Sequence, residues 1–268
     1  MQKTHALNRI AWSRSGILSI TNIEFKKLSM TVVREWQAEQ VRFSFFHQQP
    51  FQATDFASNR WWEDTFGCEA EQRIQKASSL EVMGAYGPGQ AYMSISPGRV
   101  DWTLMAIPTG FEVPNLGDLE ASTALFIEKI AEWSKSAPAL LRIAYSAHVR
   151  SIVENTRAGY EALASLLPAV KIDIDNSSDF FYQINRPKTI ERESGELLVN
   201  RLSKWCSVEM NFAFPVMTGI EVPSIHAVAL ELDINTDRHI KEPLQDVPNL
   251  LMTLTSLGYE IASHGDSL

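Results

Sequence analysis

The order strand, helix, three strands, helix can be read twice along this chain, the second time with room for one further strand. A recurrence of element order over about 130 residues constrains the fold more than any single residue, because order rarely repeats by accident. In the first pass, Gln40–Gln48 alternates Val41, Phe43 and Phe45 against Arg42, Ser44 and Phe46, which is the period of a half-buried strand. Thr54 or Asp55 then caps a short helix through Trp62 and Glu63, closed by Gly67. Strands are expected at Gln72–Met83, Gln90–Ile95 and Val100–Ile107. Tyr86-Gly87-Pro88-Gly89 and Ser96-Pro97-Gly98-Arg99 separate them, the latter with the Pro and Gly of a type II turn. Behind Asp118 as cap, Leu119, Phe126, Ile130 and Trp133 share one helix face, and Pro138 ends the run.

The pattern restarts at the strand Leu140–Val149, followed by a helix over Asn155–Leu167. Strands at Val170–Asp175 and Phe180–Asn185, a charged loop from Pro187 to Gly195, and strands at Leu197–Phe214 and Ile225–Ile234 come next. Val247, Leu250, Leu251, Leu254 and Leu257 form the apolar face of a last helix, with Pro248 in its first turn. Strands joined by short turns make antiparallel sheet, and amphipathic helices cover one face of it. The expected class is therefore α+β, with two similar β-α-β-β-β-α halves at 30–138 and 139–268, packed sheet edge to sheet edge or helix layer to helix layer. A single continuous α+β domain without internal symmetry is the alternative.

Residues 1–29 stand apart. Lys3, Arg9, Arg14, Lys26 and Lys27 against Glu24 give +4, which leaves −12 of the total −8 to the remainder. This segment reads as a basic arm or as an extension upstream of Met30.

An acidic chain disfavours general nucleic-acid binding, which needs a basic surface to displace counterions. Cys68 and Cys206 stand far apart without C-x-x-C spacing, so neither a zinc site nor a disulfide framework is expected, and a reducing cytoplasm suits them. No apolar run approaches the roughly 20 residues of a membrane helix. Gly84–Gly89 is followed by strand rather than helix, so it is a hairpin turn and not a phosphate loop. Nucleophile-elbow, H-E-x-x-H and EF-hand motifs are absent, and no cofactor or metal is expected. No two of the six histidines lie at i,i+3 or i,i+4. The pairs Asp173/Asp175 and Glu231/Asp233 each place two carboxylates on one strand face, which is the wet side that alternation predicts.

Eight aromatic residues crowd between Phe43 and Phe66, with Arg42, His47 and Arg60 among them. Adjacent helical residues diverge by about 100°, so Trp61 and Trp62 cannot both face one core. That points to an interface, an aromatic-lined pocket or a contact between halves.

Ala229-Leu230-Glu231-Leu232-Asp233-Ile234, the polar loop after it, Leu250-Leu251-Met252 and the Leu141–Ile143 strand around Arg142 resemble a sporadically distributed family of uncharacterised bacterial proteins of about this length. The resemblance spans about a third of the chain. It implies a bacterial origin and transfers no activity. The element order also resembles the helix-grip unit, in which an antiparallel sheet wraps a long helix. A paired unit of that kind can saddle DNA, and the acidic composition argues against that use here.

The expected function is a non-enzymatic binding or assembly module acting through protein contacts or self-association. The alternative is a small-molecule binding protein or enzyme with a cleft between the halves, where His47, His148, Arg142 and Asp101 converge. Nucleic-acid binding is a third reading and requires the basic arm, Arg42, Arg60, Arg73 and Arg99 to form one patch. Trp61, Trp62, His47, Arg42, Asp101, Arg142 and His148 are the candidate binding residues.

Overall fold

Alternating side chains and tight turns build a single antiparallel sheet of ten strands in the computed structural model, which describes residues 35–52, 55–56, 58–108, 112–210, 224–240 and 242–266. Five strands come from the first pass: β1 (Gln37–His47), β2 (Gln72–Lys76), β3 (Ser79–Tyr86), β4 (Gly89–Ser96) and β5 (Arg99–Met105). The other five are β6 (Leu140–Val153), β7 (Phe181–Asn185), β8 (Lys188–Ile190), β9 (Leu197–Met210) and β10 (Ile225–Thr236). The helices are α1 (Trp61–Phe66), α2 (Leu119–Ser134), α3 (Thr156–Leu166) and α4 (Val247–His264). The sheet runs β2-β3-β4-β5-β1-β6-β10-β9-β7, with β8 also paired to β9. The first strand of each pass is thus central, its partner is the last strand of the same pass, and β1 and β6 join the two sets directly.

Register assigns the faces, because directly opposed residues point the same way. Phe43 lies opposite both Trp102 and Tyr145, and Tyr145 lies opposite Ile234. This row and its neighbours are buried, and α1 to α4 cover it. Trp62 of α1 lies near-parallel to Trp102 at 6.5 Å. From α2, Phe126 packs on Phe43 at 6.1 Å and Trp133 on Phe45 at 4.7 Å. Gly159 of α3 sits against Ser207, and Gly258 of α4 against Tyr145 and Leu232. Over the β1–β6 seam the helices of the two passes also meet, since the Tyr145 hydroxyl lies 3.3 Å from Thr123 Oγ1 and its ring 6.5 Å from that of Tyr259.

The cap expected at Asp118 forms, accepting from the backbone N–H of Ala121 at 3.0 Å, and Gly67 closes α1 with φ of 71°. Asn155, read as the first residue of its helix, instead caps it and accepts from the N–H of Ala158 at 2.9 Å, while Asp55 does not cap α1, which follows Arg60 with no side-chain cap. Pro248 occupies the first turn of α4. Other expectations change. The run Gln72–Met83 is a hairpin, because the Lys76–Ser79 pairing turns the chain at Ala77-Ser78. Val170–Asp175 is not a strand: Asp173 Oδ1 accepts from the backbone N–H of Asp175 and of Asn176, an Asx turn that supplants the ladder, while Val170, Ile172 and Ile174 still pack on the core. Asp173 and Asp175 therefore do not share a strand face, and Asp175 pairs with Arg157 instead. The loop Pro187–Gly195 contains β8. Gly98 does not take a positive φ, so the β4–β5 turn is not type II, whereas Gly87 does at 56° in the two-residue β3–β4 loop. Helix α1 starts only at Trp61, and Thr54, residues 1–29 and the end of the Leu197–Phe214 run lie outside the described residues.

Gly258 allows α4 to lie directly on the sheet. A methyl group there would stand 2.8 Å from Cε1 of the buried Tyr145 ring. Alanine would add about 1 kcal/mol of helix propensity, but overpacking against a fixed ring costs about 1–3 kcal/mol. Gly258→Ala is expected to lower the urea midpoint despite its better propensity, as checked by equilibrium unfolding.

Candidate functional site

The face of the sheet opposite the helices carries the polar half of each alternation, and no described element covers it. Four rows cross the seam. Arg99, Phe46 and Arg142 form the first. Asp101, Ser44, Ala144 and Asn235 form the second, and Thr103, Arg42, Ser146 and Asp233 the third. Gln40, His148, Glu231 and Lys204 form the fourth.

The centre is low because Ser44, Ala144 and Ser146 are short and buried, and long side chains rise around them. Phe46 lies between two guanidinium groups, with Arg99 Cζ 5.2 Å and Arg142 Cζ 4.9 Å from the ring centroid. Such cation–π contacts are worth about 0.5–1 kcal/mol each at exposed sites, and here they also fix direction. Arg99 Nε donates to Asp101 Oδ1 at 2.8 Å and its Nη2 to Ser44 Oγ at 3.2 Å. Arg142 Nη2 donates to Asn235 Oδ1 at 2.9 Å, leaving its buried Nε without a hydrogen-bond partner among the described residues. Arg42 Nε donates to Ser146 Oγ at 3.2 Å, and Lys204 pairs with Glu231 at 2.7 Å. The result is three oriented guanidinium groups around a shallow floor, interleaved with the carboxylates of Asp101, Glu231 and Asp233. His148 sits beside Arg42 and Glu231; burial lowers its pKa, opposed by Glu231 and reinforced by Arg42, Lys204 and Arg150. A hollow of about 210 Å³ lies above Ser146, bordered by Arg42, His148, Lys204 and Asp233.

Of the candidate residues, Arg42, Asp101, Arg142 and His148 lie on this face, and His47, Trp61 and Trp62 lie on the other. The alternation that buries Val41, Phe43 and Phe45 carries His47 inward as well, against Phe51 at 4.6 Å and Trp61 at 6.5 Å. His47 therefore does not converge with His148, Arg142 and Asp101. The β1–β6 ladder is continuous from Gln37 to His47, with bulges near each end, so the passes meet as sheet rather than across a cleft. Trp62 is fully buried against Gly84, Phe66 and Trp102, while Trp61 is half-buried against Trp133 and Phe51. Arg60 and Arg73 do not join Arg42 and Arg99: Arg73 is tied to the carbonyls of Phe56 and Asn59, and Arg60 immediately precedes α1. Glu231 and Asp233 do share one strand face, as their spacing predicts, and face this surface.

Sequence reasoning missed the role of Phe46. Its signal was available, as a lone aromatic on a strand face otherwise occupied by Arg42 and Ser44. The flanking by Arg99 and Arg142 was not available, since it depends on which strands become neighbours.

Among the described residues no group of three His, Cys, Asp or Glu side chains is placed to hold a metal ion, and no helix is long and apolar enough to cross a membrane. No protein-family model matches the chain, and no curated protein is significantly similar to it.

His47 has a consequence for stability. Burial lowers its pKa to about 4 from an ordinary value of 6.5, and neither ring nitrogen has a hydrogen-bond partner among the described residues. Between those values the unfolded chain binds a proton that the folded protein does not. Stability is therefore full above pH 6.5 and declines as the pH falls toward 4, by roughly 3 kcal/mol for this group. His47→Phe is expected to flatten that decline, as measured by denaturant unfolding from pH 7 to pH 4.

Proposed function

We propose that this protein is a non-catalytic binding module that docks an acidic segment of a protein partner on the open sheet face across the β1–β6 seam. The observation that carries this reading is the trio Arg42, Arg99 and Arg142, held in fixed directions around a floor of Ser44, Ala144 and Ser146. Guanidinium groups bind carboxylates bidentately and are enriched at interface hot spots, and orienting them in advance lowers the entropy lost on binding. The dimensions agree. Nine strand positions at about 4.8 Å make a face about 38 Å wide, and a usable height near 20 Å supplies the roughly 800 Å² per partner of a standard interface. The hollow over Ser146, at about 210 Å³, is smaller than the roughly 300–1,000 Å³ of ordinary small-molecule sites. A ligand or enzyme cleft at the seam is accordingly the weaker reading. Because Asp101, Glu231 and Asp233 divide the basic surface into separate guanidinium positions, a short acidic segment with spaced carboxylates suits it better than the unbroken charge of a nucleic-acid backbone.

The mirrored strand orders β2-β3-β4-β5-β1 and β6-β10-β9-β7 support a further reading, that the two halves descend from one duplicated unit. The free thiols Cys68 and Cys206 suit a cytoplasmic setting.

The test compares wild-type protein with Arg42→Ala/Arg142→Ala as affinity baits in extract of the native host, with size-exclusion chromatography to detect a second copy as the partner. A partner retained by the wild type is expected to be lost by about tenfold or more from the double variant, and to weaken as salt is raised. A partner held equally by both proteins, at unchanged melting temperature, would remove the proposal.

A further inference from the structure

The outermost strand of the second pass leaves a row of backbone groups without a neighbour. β7 and β8 pair with β9 in one common register, from Phe181 opposite Cys206 to Lys188 opposite Val199. The Arg186 N–H donates to the Arg201 carbonyl at 3.1 Å, and on the other side of β9 the Leu198 carbonyl accepts from the N–H of Asp237 at 3.0 Å. Backbone polar groups alternate sides along an antiparallel ladder. Even-numbered residues of β7 therefore face β9, and Phe181, Gln183 and Asn185 turn their N–H and C=O outward. Pro187 falls on the outward side as well, where its missing N–H takes nothing from the β9 ladder. No described residue hydrogen-bonds to the outward groups of β7.

Folded proteins guard open edges with charged side chains, lysine above all, and with proline. At the far edge of the sheet β2 carries Arg73 and Lys76, and β8 carries Lys188 directly behind Pro187. β7 reads Phe-Tyr-Gln-Ile-Asn, without charge or proline, and its Phe181 is 56% exposed. This unguarded stretch has definite ends. Asp179 turns the chain on one side with φ of 54°, and Pro187 on the other side has no hydrogen to give a further strand.

We propose that β7 pairs with β7 of a second copy of this chain, antiparallel about a two-fold axis at Gln183. In that register every outward residue is used. Gln183 meets Gln183 of the second copy and Phe181 meets its Asn185, each pair exchanging both backbone hydrogen bonds. Side chains match too: the two Gln183 amides face each other, and Tyr182 meets Ile184 on the helix side as an aromatic–β-branched pair. A shift of two residues either way loses this, since it sets Asn185 against the left-handed Asp179 or Phe181 against Pro187. A strand of five residues spans about 17 Å, so the contact belongs with small, transient interfaces of less than about 1,200 Å². The axis stands normal to the sheet, which brings the open faces of both copies to one side. Arg42, Arg99 and Arg142 take no part in the pairing, so it and the docking of an acidic segment can fail separately.

The test is sedimentation equilibrium of the full chain from about 20 μM to about 1 mM, with wild type, Gln183→Lys, Gln183→Glu and an equimolar mixture of the two variants. Wild type is expected to dimerise with Kd below about 1 mM. Gln183 is exposed, so both variants are expected to keep the fold. Each alone sets like charges against each other at the axis and is expected to dimerise about tenfold or more weakly, whereas the mixture sets opposite charges there and regains wild-type affinity. Arg42→Ala/Arg142→Ala is expected to dimerise as wild type does. Any one of four results would overturn the proposal: wild type monomeric at about 1 mM, charged variants that self-associate unchanged, a mixture no stronger than its components, or loss of the dimer in Arg42→Ala/Arg142→Ala.

Discussion

The hydrogen-bonded ladder between β1 and β6 is the contact on which the other features of this protein rest. It joins the two runs of strands into one sheet, and its register sets which residues meet across the middle. Phe43 opposite Tyr145 seeds the buried row, and Ser44 opposite Ala144 makes the low floor on the other side. A slip of one residue would exchange the two faces completely, because the side-chain period of a strand is two. Both a large aromatic core and a polar surface depend on that register, so the burial of Phe43, Phe45 and Tyr145 also fixes the directions of Arg42 and Arg142.

Placing α1 to α4 on one side of the sheet gives its two faces different chemical environments. Under the helices, aromatic residues interlock from Trp62 through Trp102 and Trp133 to Phe45. On the open side, arginines are restrained by short contacts to Ser44, Asp101, Ser146 and Asn235 and by the Phe46 ring. That arrangement suits recognition by preorganised charge rather than by a deep pocket.

The aromatic region has an energetic tension of its own. The ring nitrogens of His47, the indole N–H groups of Trp62, Trp102 and Trp133, Thr65 Oγ1 and Glu63 Oε2 are all buried near α1 without hydrogen-bond partners among the described residues. An isolated buried polar group costs about 1–3 kcal/mol, so the dense apolar packing of Phe45, Phe51 and Phe66 must offset several such penalties at once. The concentration of these groups beside one half-exposed tryptophan distinguishes this corner from the aliphatic core under α4, where Leu250, Leu251 and Leu254 raise no such demand.

Much of this was legible in the chain itself. Val41-Phe43-Phe45 against Arg42-Ser44-Phe46, the cap Asp118, Gly67 and the first-turn Pro248 each follow from local physical chemistry, in which the preferences of a few adjacent residues decide the outcome. The same local rules failed where a competing local bond or a short turn intervened, as at Asp173 and at Ala77-Ser78. Divergence of Trp61 and Trp62 was predictable from helix geometry, and so was the inward direction of His47 from strand parity. By itself, then, the sequence determined the α+β class, most of the antiparallel strands and, within those strands, which side chains share a face. Tertiary structure alone decided that β1 would pair with β6, that Arg99 and Arg142 would flank Phe46 from 53 and 96 residues away in the chain, and that the Trp61 region would hold unpartnered buried donors. The physical reason is that period and propensity act over a few residues, whereas the choice of neighbouring strands is a long-range balance of burial and chain entropy that no local segment encodes.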